Sequence, residues 1–176
     1  MTISIEELLT TYWSQITLIL AILGYFFKRI FDAISKKREI NHNLFQVKKL
    51  EAVNKFFAVY SEVEEMWTEI SYWDIMENKL TAKEIDNLIF PSLRKMRKCN
   101  LELHIYFDQK QMTYFNGVYK NMLSINGALS KEYFDFNSEK NIITKTNNFL
   151  EIKDNEFKKN ETLMNKIYEI VKQSFK

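Results

Sequence analysis

Hydrophobic residues are most concentrated near the N-terminus, where residues 8–27 carry no charged side chain. A helix of these 20 residues is about 30 Å long, which matches the hydrocarbon thickness of a bilayer. The run predicts a transmembrane helix over 8–27, preceded by a short extracytoplasmic segment over 1–7. Polar side chains in its first half leave a buried core helix as the alternative. Aromatic residues typical of membrane interfaces occupy both ends, namely Tyr12, Trp13, Tyr25, Phe26 and Phe27.

A cluster of basic residues follows the apolar run directly. Residues 28–40 contain five basic and two acidic side chains, whereas no Lys or Arg precedes the run. The positive-inside rule therefore predicts a single-pass protein of the inner (plasma) membrane, with the N-terminus outside and the C-terminal part in the cytoplasm. Residues 28–40 are interpreted as a basic juxtamembrane helix that contacts lipid headgroups. The contact residues are Lys28, Arg29, Lys36, Lys37 and Arg38.

Apolar positions in residues 41–176 recur every three or four residues, which is the period of an amphipathic helix. The first stripe continues the N-terminal helix to about Asn78 without Pro or Gly. It comprises Leu44, Val47, Leu50, Val53, Phe57, Tyr60, Val63, Trp67 and Ile70. Short turns between such stripes make neighbouring helices antiparallel. The sequence therefore predicts an all-α fold, in which a single N-terminal transmembrane helix is followed by a cytosolic antiparallel helical bundle over 41–176.

Capping signals predict where the later helices begin. Thr81 with Glu84, and Asp108 with Gln111, have the spacing of a capping box. Pro91 lies inside the stripe that follows Thr81 and predicts a kink or a short break near Phe90. Asn137 and Ser138 predict a turn before the last helical segment.

Composition excludes several classes of chemistry. The chain has three Gly, one Pro, one Cys and two His. The glycines are far apart, so neither a P-loop nor a dinucleotide-binding turn can form. Glu39 and His42 have the spacing of a di-iron half-site, but His104 lacks the matching Glu. Cys99 lies on an apolar stripe, where a small core residue is usual. No cofactor, metal site or catalytic residue is predicted.

The charge balance of the cytosolic part argues against nucleic acid as a partner. Residues 41–176 contain 20 basic and 19 acidic side chains, whereas nucleic-acid binding favours a basic surface. A local basic run, Arg94, Lys95, Arg97 and Lys98, is interpreted as a solvated helix face. We expect it to pair with the acidic run of the preceding antiparallel helix, which comprises Glu62, Glu64, Glu65 and Glu69.

Arg97 and His104 are separated by six residues. This spacing resembles the Arg-x4-6-His motif of HEPN-type helical ribonucleases, and the resemblance covers these two residues. It implies that the two side chains act on a scissile phosphate at a dimer interface. Lys98 departs from the small polar or acidic residue that the family usually has after the arginine. Apolar residues around His104 favour a packed structural histidine instead.

Small residues mark one face of the N-terminal helix. At about 100° per residue, Thr10, Ser14, Thr17, Ala21 and Gly24 fall within an arc of about 80°. Such faces let helix backbones approach closely in lipid, so this face predicts self-association. The sequence thus predicts a non-enzymatic, homo-oligomeric membrane protein whose bundle binds a cytosolic partner or senses a signal. A pore-forming or membrane-disrupting effector of a bacterial antiviral or abortive-infection system is one alternative, by architectural resemblance. A membrane-tethered HEPN-like ribonuclease is the other.

Overall fold

A computed structural model describes residues 5–135 and 141–175, with side chains from residue 11 onward. The described residues form helices and turns without a strand, which confirms the all-α prediction. The helices are α1 (Ile5–Glu69), α2 (Tyr72–Met76), α3 (Ala82–Leu103), α4 (Gln109–Tyr133) and α5 (Ile142–Ser174). The turn predicted at Asn137 and Ser138 lies outside the described residues.

Side-chain caps begin the later helices. Thr81 and Glu84 form a capping box at the start of α3, and Asp108 and Gln111 form another at the start of α4. Both predicted helix starts are therefore confirmed. At the start of α5, the Asn141 side chain accepts a hydrogen bond from the Thr144 backbone at 2.8 Å. These contacts satisfy backbone N–H groups that lack partners within the helix.

Of the kink or short break predicted near Phe90, the break is wrong, because α3 runs through Pro91 to Leu103, and the kink stays a prediction. A proline inside a helix removes one backbone hydrogen bond. Ile89 and Leu93 on either side of it are 1% and 2% exposed. Burial of these flanking side chains offsets the lost hydrogen bond, since burying one large aliphatic side chain contributes about 1.5–3 kcal/mol.

The chain divides into two compact units, residues 1–47 and 48–176, and the division falls within α1. The first unit consists of the N-terminal part of α1. The second contains the rest of α1 together with α2 to α5.

The second unit is built from four long helical segments. Lys55 and Glu62 of α1 pair with Glu102 and Lys95 of α3, so these two segments run antiparallel. Phe57 contacts Tyr168, and Trp67 contacts Phe149, so α1 and α5 also run antiparallel. Amide contacts join α3 to α4 and α4 to α5. α1 therefore has α3 and α5 as neighbours, with α4 on the diagonal.

Large apolar side chains fill the space between these helices. Those that are less than 2% exposed are Trp67, Phe56, Phe115, Phe149, Ile75, Ile89, Met96, Leu103, Met112, Met122, Ile125 and Leu129. The α1 stripe predicted from the sequence is buried from Val53 onward, with Phe57 and Ile70 partly buried. Its first three members, Leu44, Val47 and Leu50, are 56%, 53% and 45% exposed. The core prediction is wrong for these three residues.

The predicted transmembrane helix over 8–27 is not supported. Within residues 5–135 and 141–175, no helix is long and apolar enough to cross a membrane. Hydroxyl and amide side chains at Thr11, Ser14, Gln15 and Thr17 lower the hydropathy of the first half of the segment.

Candidate functional site

The N-terminal part of α1 exposes a long series of large apolar side chains. No charged side chain occurs in residues 11–27. The exposed residues are Leu18, Ile19, Leu20, Ile22, Leu23, Tyr25, Phe26 and Phe27, each at least 46% accessible to solvent. Isolated exposed apolar residues are common on proteins, whereas a continuous apolar surface marks a contact with lipid or another protein. We call residues 11–27 the apolar segment.

The apolar side chains cover most of the helix circumference. At about 100° per residue, the eight exposed residues span an arc of about 220°. Ser14, Thr17, Ala21 and Gly24 occupy the remaining side, whereas Thr11 and Gln15 fall within the apolar arc. A helix that lies flat on a membrane has a broad charged face. The apolar segment has no such face, so its side chains are suited to an environment that is apolar on nearly all sides.

The predicted association face is open in the single chain. Ser14, Thr17, Ala21 and Gly24 are all exposed, and Thr10 has no described side chain. A Cβ atom built at Gly24 would meet no atom within 4 Å. The Thr17 hydroxyl donates to the Trp13 carbonyl at 2.8 Å, so its polarity is satisfied within the helix. The structure thus places these residues on one accessible face.

The predicted headgroup residues surround the helix. Lys28, Arg29, Lys36, Lys37 and Arg38 are all exposed. Their positions fall at widely spaced angles around the axis, so they form a basic collar. One guanidinium nitrogen of Arg29 donates to the Tyr25 hydroxyl at 3.4 Å. The collar begins where the apolar segment ends, and it presents cations in every direction.

Arg97 and His104 are both exposed in the second unit. They are seven positions apart on α3, so they share a helix face with a rise of about 10.5 Å between them. The packed role predicted for His104 is wrong. His104 is the C-terminal cap of α3, and its side chain is exposed. The structure thus places this pair on a shared, exposed face.

Two other predictions about α3 are confirmed. Lys95 pairs with Glu62 across the α1–α3 boundary, as expected for facing basic and acidic runs. Cys99 is 2% exposed, and burial raises the pKa of its thiol above the ordinary value. A buried thiol with a raised pKa is a poor nucleophile, because the reactive species is the thiolate.

An acidic groove separates α1 from α3 near the α2 end. Its volume is about 490 Å³, and Glu62, Glu65 and Glu69 line one side. Met66, Ile70, Leu80 and Leu88 supply apolar surface, and Leu88 is 49% exposed. The groove combines an apolar floor with a negative rim. That combination suits a ligand with apolar and basic groups.

Buried amides are the feature that the sequence analysis missed. Asn100 of α3 donates to Asn116 of α4 at 2.6 Å, and Asn121 of α4 donates to Asn160 of α5 at 2.8 Å. Asn100 and Asn160 are 6% and 0% exposed. Asn100 and Asn160 lie four residues from Met96 and Met164, on the apolar sides of α3 and α5. This spacing was the sequence signal that the two amides are buried. These pairs fix the register of neighbouring helices, because a shifted helix would leave the amides without partners.

Lys49 is a further buried polar residue, at 8% exposure. Its ammonium lies 4.5 Å from the ring centre of Phe107 and 5.8 Å from that of Phe175. Aromatic faces stabilise a cation, whereas burial lowers the pKa of this lysine. Lys49, at the start of the second unit, thereby contacts Phe107 between α3 and α4 and Phe175 at the C-terminal end of α5.

Within the described residues, no group of three or more His, Cys, Asp or Glu side chains could hold a metal ion. Comparison of the chain with protein-family models, with curated proteins and with solved structures found no match. Any functional assignment therefore depends on the geometry described above.

Proposed function

We propose that this chain is a non-enzymatic, membrane-attached protein that self-associates through α1 and presents its helical bundle to a cytosolic partner. One observation carries the proposal: the apolar segment exposes large side chains over most of its circumference and contains no charge. Transfer of such a surface from water is favourable by about 25 cal/mol per Å². Lipid acyl chains are the apolar environment that we assign to it.

The basic collar supports the same proposal. Lys28, Arg29, Lys36, Lys37 and Arg38 follow the apolar segment and are exposed. Each basic residue close to an anionic membrane surface contributes about 1 kcal/mol of attraction. Along α1 the apolar side chains come first and the cations follow. A membrane leaflet has the same order from its centre outward, with acyl chains first and headgroups next. The excess of basic residues on this side favours the cytoplasmic face of the inner membrane for the bundle.

Membrane attachment is tested by fractionation of cells that produce the full chain. We expect the protein in the membrane pellet after washing with alkaline carbonate. The double variant Leu20→Lys/Leu23→Lys adds two charges to the apolar segment and should shift the protein to the supernatant. The control His42→Lys/Asn43→Lys adds the same charge beyond the collar and should remain in the pellet. Recovery of the wild-type chain in the supernatant would overturn the proposal.

The cytoplasmic placement of the bundle is tested by labelling a single cysteine. In a Cys99→Ala background, Lys172→Cys should react with a membrane-impermeant maleimide only after the cells are opened. Ser4→Cys distinguishes two modes of attachment: reaction in intact cells requires α1 to cross the bilayer, whereas reaction only in opened cells indicates that α1 enters one leaflet from the cytoplasm. Reaction of Lys172→Cys in intact cells would overturn the cytoplasmic placement.

Self-association through the small-residue face is tested separately. Ala21→Leu/Gly24→Leu fills the face with bulky side chains, so we expect the mass of the protein in lipid nanodiscs to fall. Leu18→Ala/Ile22→Ala alters side-chain size elsewhere on the same segment and serves as the control. An unchanged mass in the first variant would contradict a role for this face.

A pore-forming effector is the second candidate function. The observation that favours it is the exposed row of Ser14 and Thr17 hydroxyls on an otherwise apolar surface. In an oligomer such a row could line a polar path. Production of the wild-type chain should then depolarise cells, and Ala21→Leu/Gly24→Leu should abolish the effect. An unchanged membrane potential with the wild-type chain would rule out this candidate.

The acidic groove is the surface that we assign to the cytosolic partner. Glu65→Lys/Glu69→Lys reverses its rim charge and should weaken cross-linking of the bundle to a basic partner protein in cells. Glu161→Lys/Glu169→Lys reverses charge on exposed positions of α5 and should leave it intact. Equal cross-linking of both variants would assign the partner surface elsewhere.

A further inference from the structure

The first unit carries a second apolar row beyond the apolar segment. From residue 30 onward, the row follows alternating intervals of three and four residues. Its positions are Ile30, Ala33, Lys37, Ile40, Leu44 and Val47. The same spacing extends backward through Phe26, Leu23, Ile19 and Ile16. An apolar repeat averaging 3.5 residues over several heptads is the pattern of a coiled coil. We call positions 30–47 of this row the heptad seam.

The structure leaves the heptad seam uncovered. Ile40, Leu44 and Val47 are 65%, 56% and 53% exposed, and Ile30 is 53% exposed. These residues alternate with charged side chains, including Lys36, Arg38 and Glu39, which are exposed as well. Acyl chains are a poor environment for that mixture. The seam therefore needs an apolar partner that leaves the charged sides of the helix in water.

A second copy of this chain meets that requirement. It carries the same row at the same spacing, so two in-register helices would place each large side chain against its counterpart. A straight helix drifts by about 20° per heptad relative to such a row, and mutual supercoiling corrects the drift. Attachment of both copies to one membrane favours a parallel arrangement. That orientation alone rests on the proposed function.

Lys37 is the one charged residue in the seam. A single polar residue at a core position fixes register and the number of strands at a cost in stability. In a two-stranded assembly the long lysine stem can cover apolar surface while the ammonium reaches water. We infer that residues 30–47 form a parallel, in-register, two-stranded coiled coil with a second copy of this chain, in which Lys37 sets the register.

The heptad seam differs from the small-residue face. Within the apolar segment, its backward extension lies about 160° around the helix from the centre of that face. Substitutions can therefore separate the two surfaces. Ala21→Leu/Gly24→Leu changes the small-residue face and leaves the seam intact.

The proposal predicts opposite effects for two substitutions, measured in detergent micelles on a full chain that also carries Ala21→Leu/Gly24→Leu, so that the small-residue face cannot hold two copies together. Leu44→Lys puts a second charge into the seam and should reduce the protein mass from two chains to one. Lys37→Leu removes the polar position and should tighten association about tenfold or more. His42→Lys adds a charge off the seam and should leave the mass at two chains. The mass of Lys37→Leu should remain at two chains, because non-specific aggregation would give larger and mixed masses.

Register and orientation are tested by disulfide formation in membranes, in a Cys99→Ala background. Ile40→Cys should form a disulfide between two copies, because identical seam positions meet in a parallel coiled coil. His42→Cys lies on the outer side and should not. Equal cross-linking of the two cysteine variants, a single-chain mass for the Ala21→Leu/Gly24→Leu chain, or an unchanged mass when Leu44→Lys is added to that chain would overturn the inference. Membrane attachment is scored separately by carbonate washing, which Leu44→Lys should not affect.

Discussion

Phe56 of α1 and Phe115 of α4 meet edge to face, with ring centroids 5.0 Å apart and ring planes at 81°. Both side chains are 0% exposed. The contact joins two helices that lie diagonally across the bundle. It therefore lies in the interior that the four long helical segments share. Edge-to-face rings gain about 0.5–1.5 kcal/mol beyond the burial of their surface.

Truncation of this central contact should destabilise the bundle strongly. For Phe115→Ala we expect a loss of about 3–5 kcal/mol in the free energy of unfolding, because the substitution leaves a cavity. Phe134→Ala removes a ring that is 55% exposed and should change stability by less than about 1 kcal/mol. Urea unfolding of the full chain in detergent micelles, followed by circular dichroism, measures both. Similar losses for the two variants would contradict a central role for Phe115.

The capping box of α3 should contribute measurably to stability. Thr81→Ala removes the hydroxyl that accepts from the Glu84 backbone, so the free energy of unfolding should fall by about 1 kcal/mol. Thr113→Ala is the matched control, because this hydroxyl donates to the Gln109 carbonyl within α4. Alanine suits such a helical position, so we expect no loss there. The same unfolding measurement compares them, and equal losses would argue against the cap.

Two helical glycines in α4 should respond differently to alanine. A Cβ at Gly127 would meet no atom within 4 Å, so Gly127→Ala should raise the free energy of unfolding by about 0.5–1 kcal/mol. A Cβ at Gly117 would lie 3.0 Å from a methyl carbon of Leu163. Gly117→Ala should therefore gain less than Gly127→Ala, because Leu163 must move. Thermal unfolding of the two variants tests this order, and a larger gain at Gly117 would reverse it.

Tyr72 should make stability depend on alkaline pH. Its hydroxyl is buried without a hydrogen-bond partner among the described residues, and burial raises the pKa of this phenol above its ordinary value of 10.0. Above that pH the unfolded chain releases the proton while the folded chain retains it. The free energy of unfolding must then fall as pH rises. Below it, both states keep the proton and the effect vanishes.

Replacement of Tyr72 tests this dependence. Tyr72→Phe removes the titrating group and its unpaired hydroxyl, so we expect stability near neutral pH to rise by about 1 kcal/mol. The loss of stability between pH 9 and 11 should also become shallower. Tyr168→Phe alters an exposed phenol and should leave that slope nearly unchanged. An identical slope in wild type and Tyr72→Phe would refute the assignment.

Local sequence was sufficient to locate the starts of α3 and α4, but not the end of α1, which was expected near Asn78 and lies at Glu69. Thr81 and Asp108 begin α3 and α4 because their side chains reach backbone N–H groups three residues away, and such contacts need no distant part of the chain. The core face of α3 was also readable, because Met96, Cys99 and Leu103 lie on one side of a helix. Leu88 is an apolar residue near the same side of α3, yet it is 49% exposed beside the acidic groove.

Only the tertiary structure decided how these faces are used. Asn100 and Asn160 became buried because amides on neighbouring helices came within hydrogen-bond distance, a relation that no local pattern contains. His104 is exposed although buried residues, Leu103 and Phe107, lie on either side of it in the chain. Leu44 and Val47 have the same period as the buried Val53 and Val63, yet the three-dimensional packing leaves them in solvent. A sequence determines which side of a helix is apolar, because the period is set within the helix. Whether that side is covered depends on which other surfaces reach it.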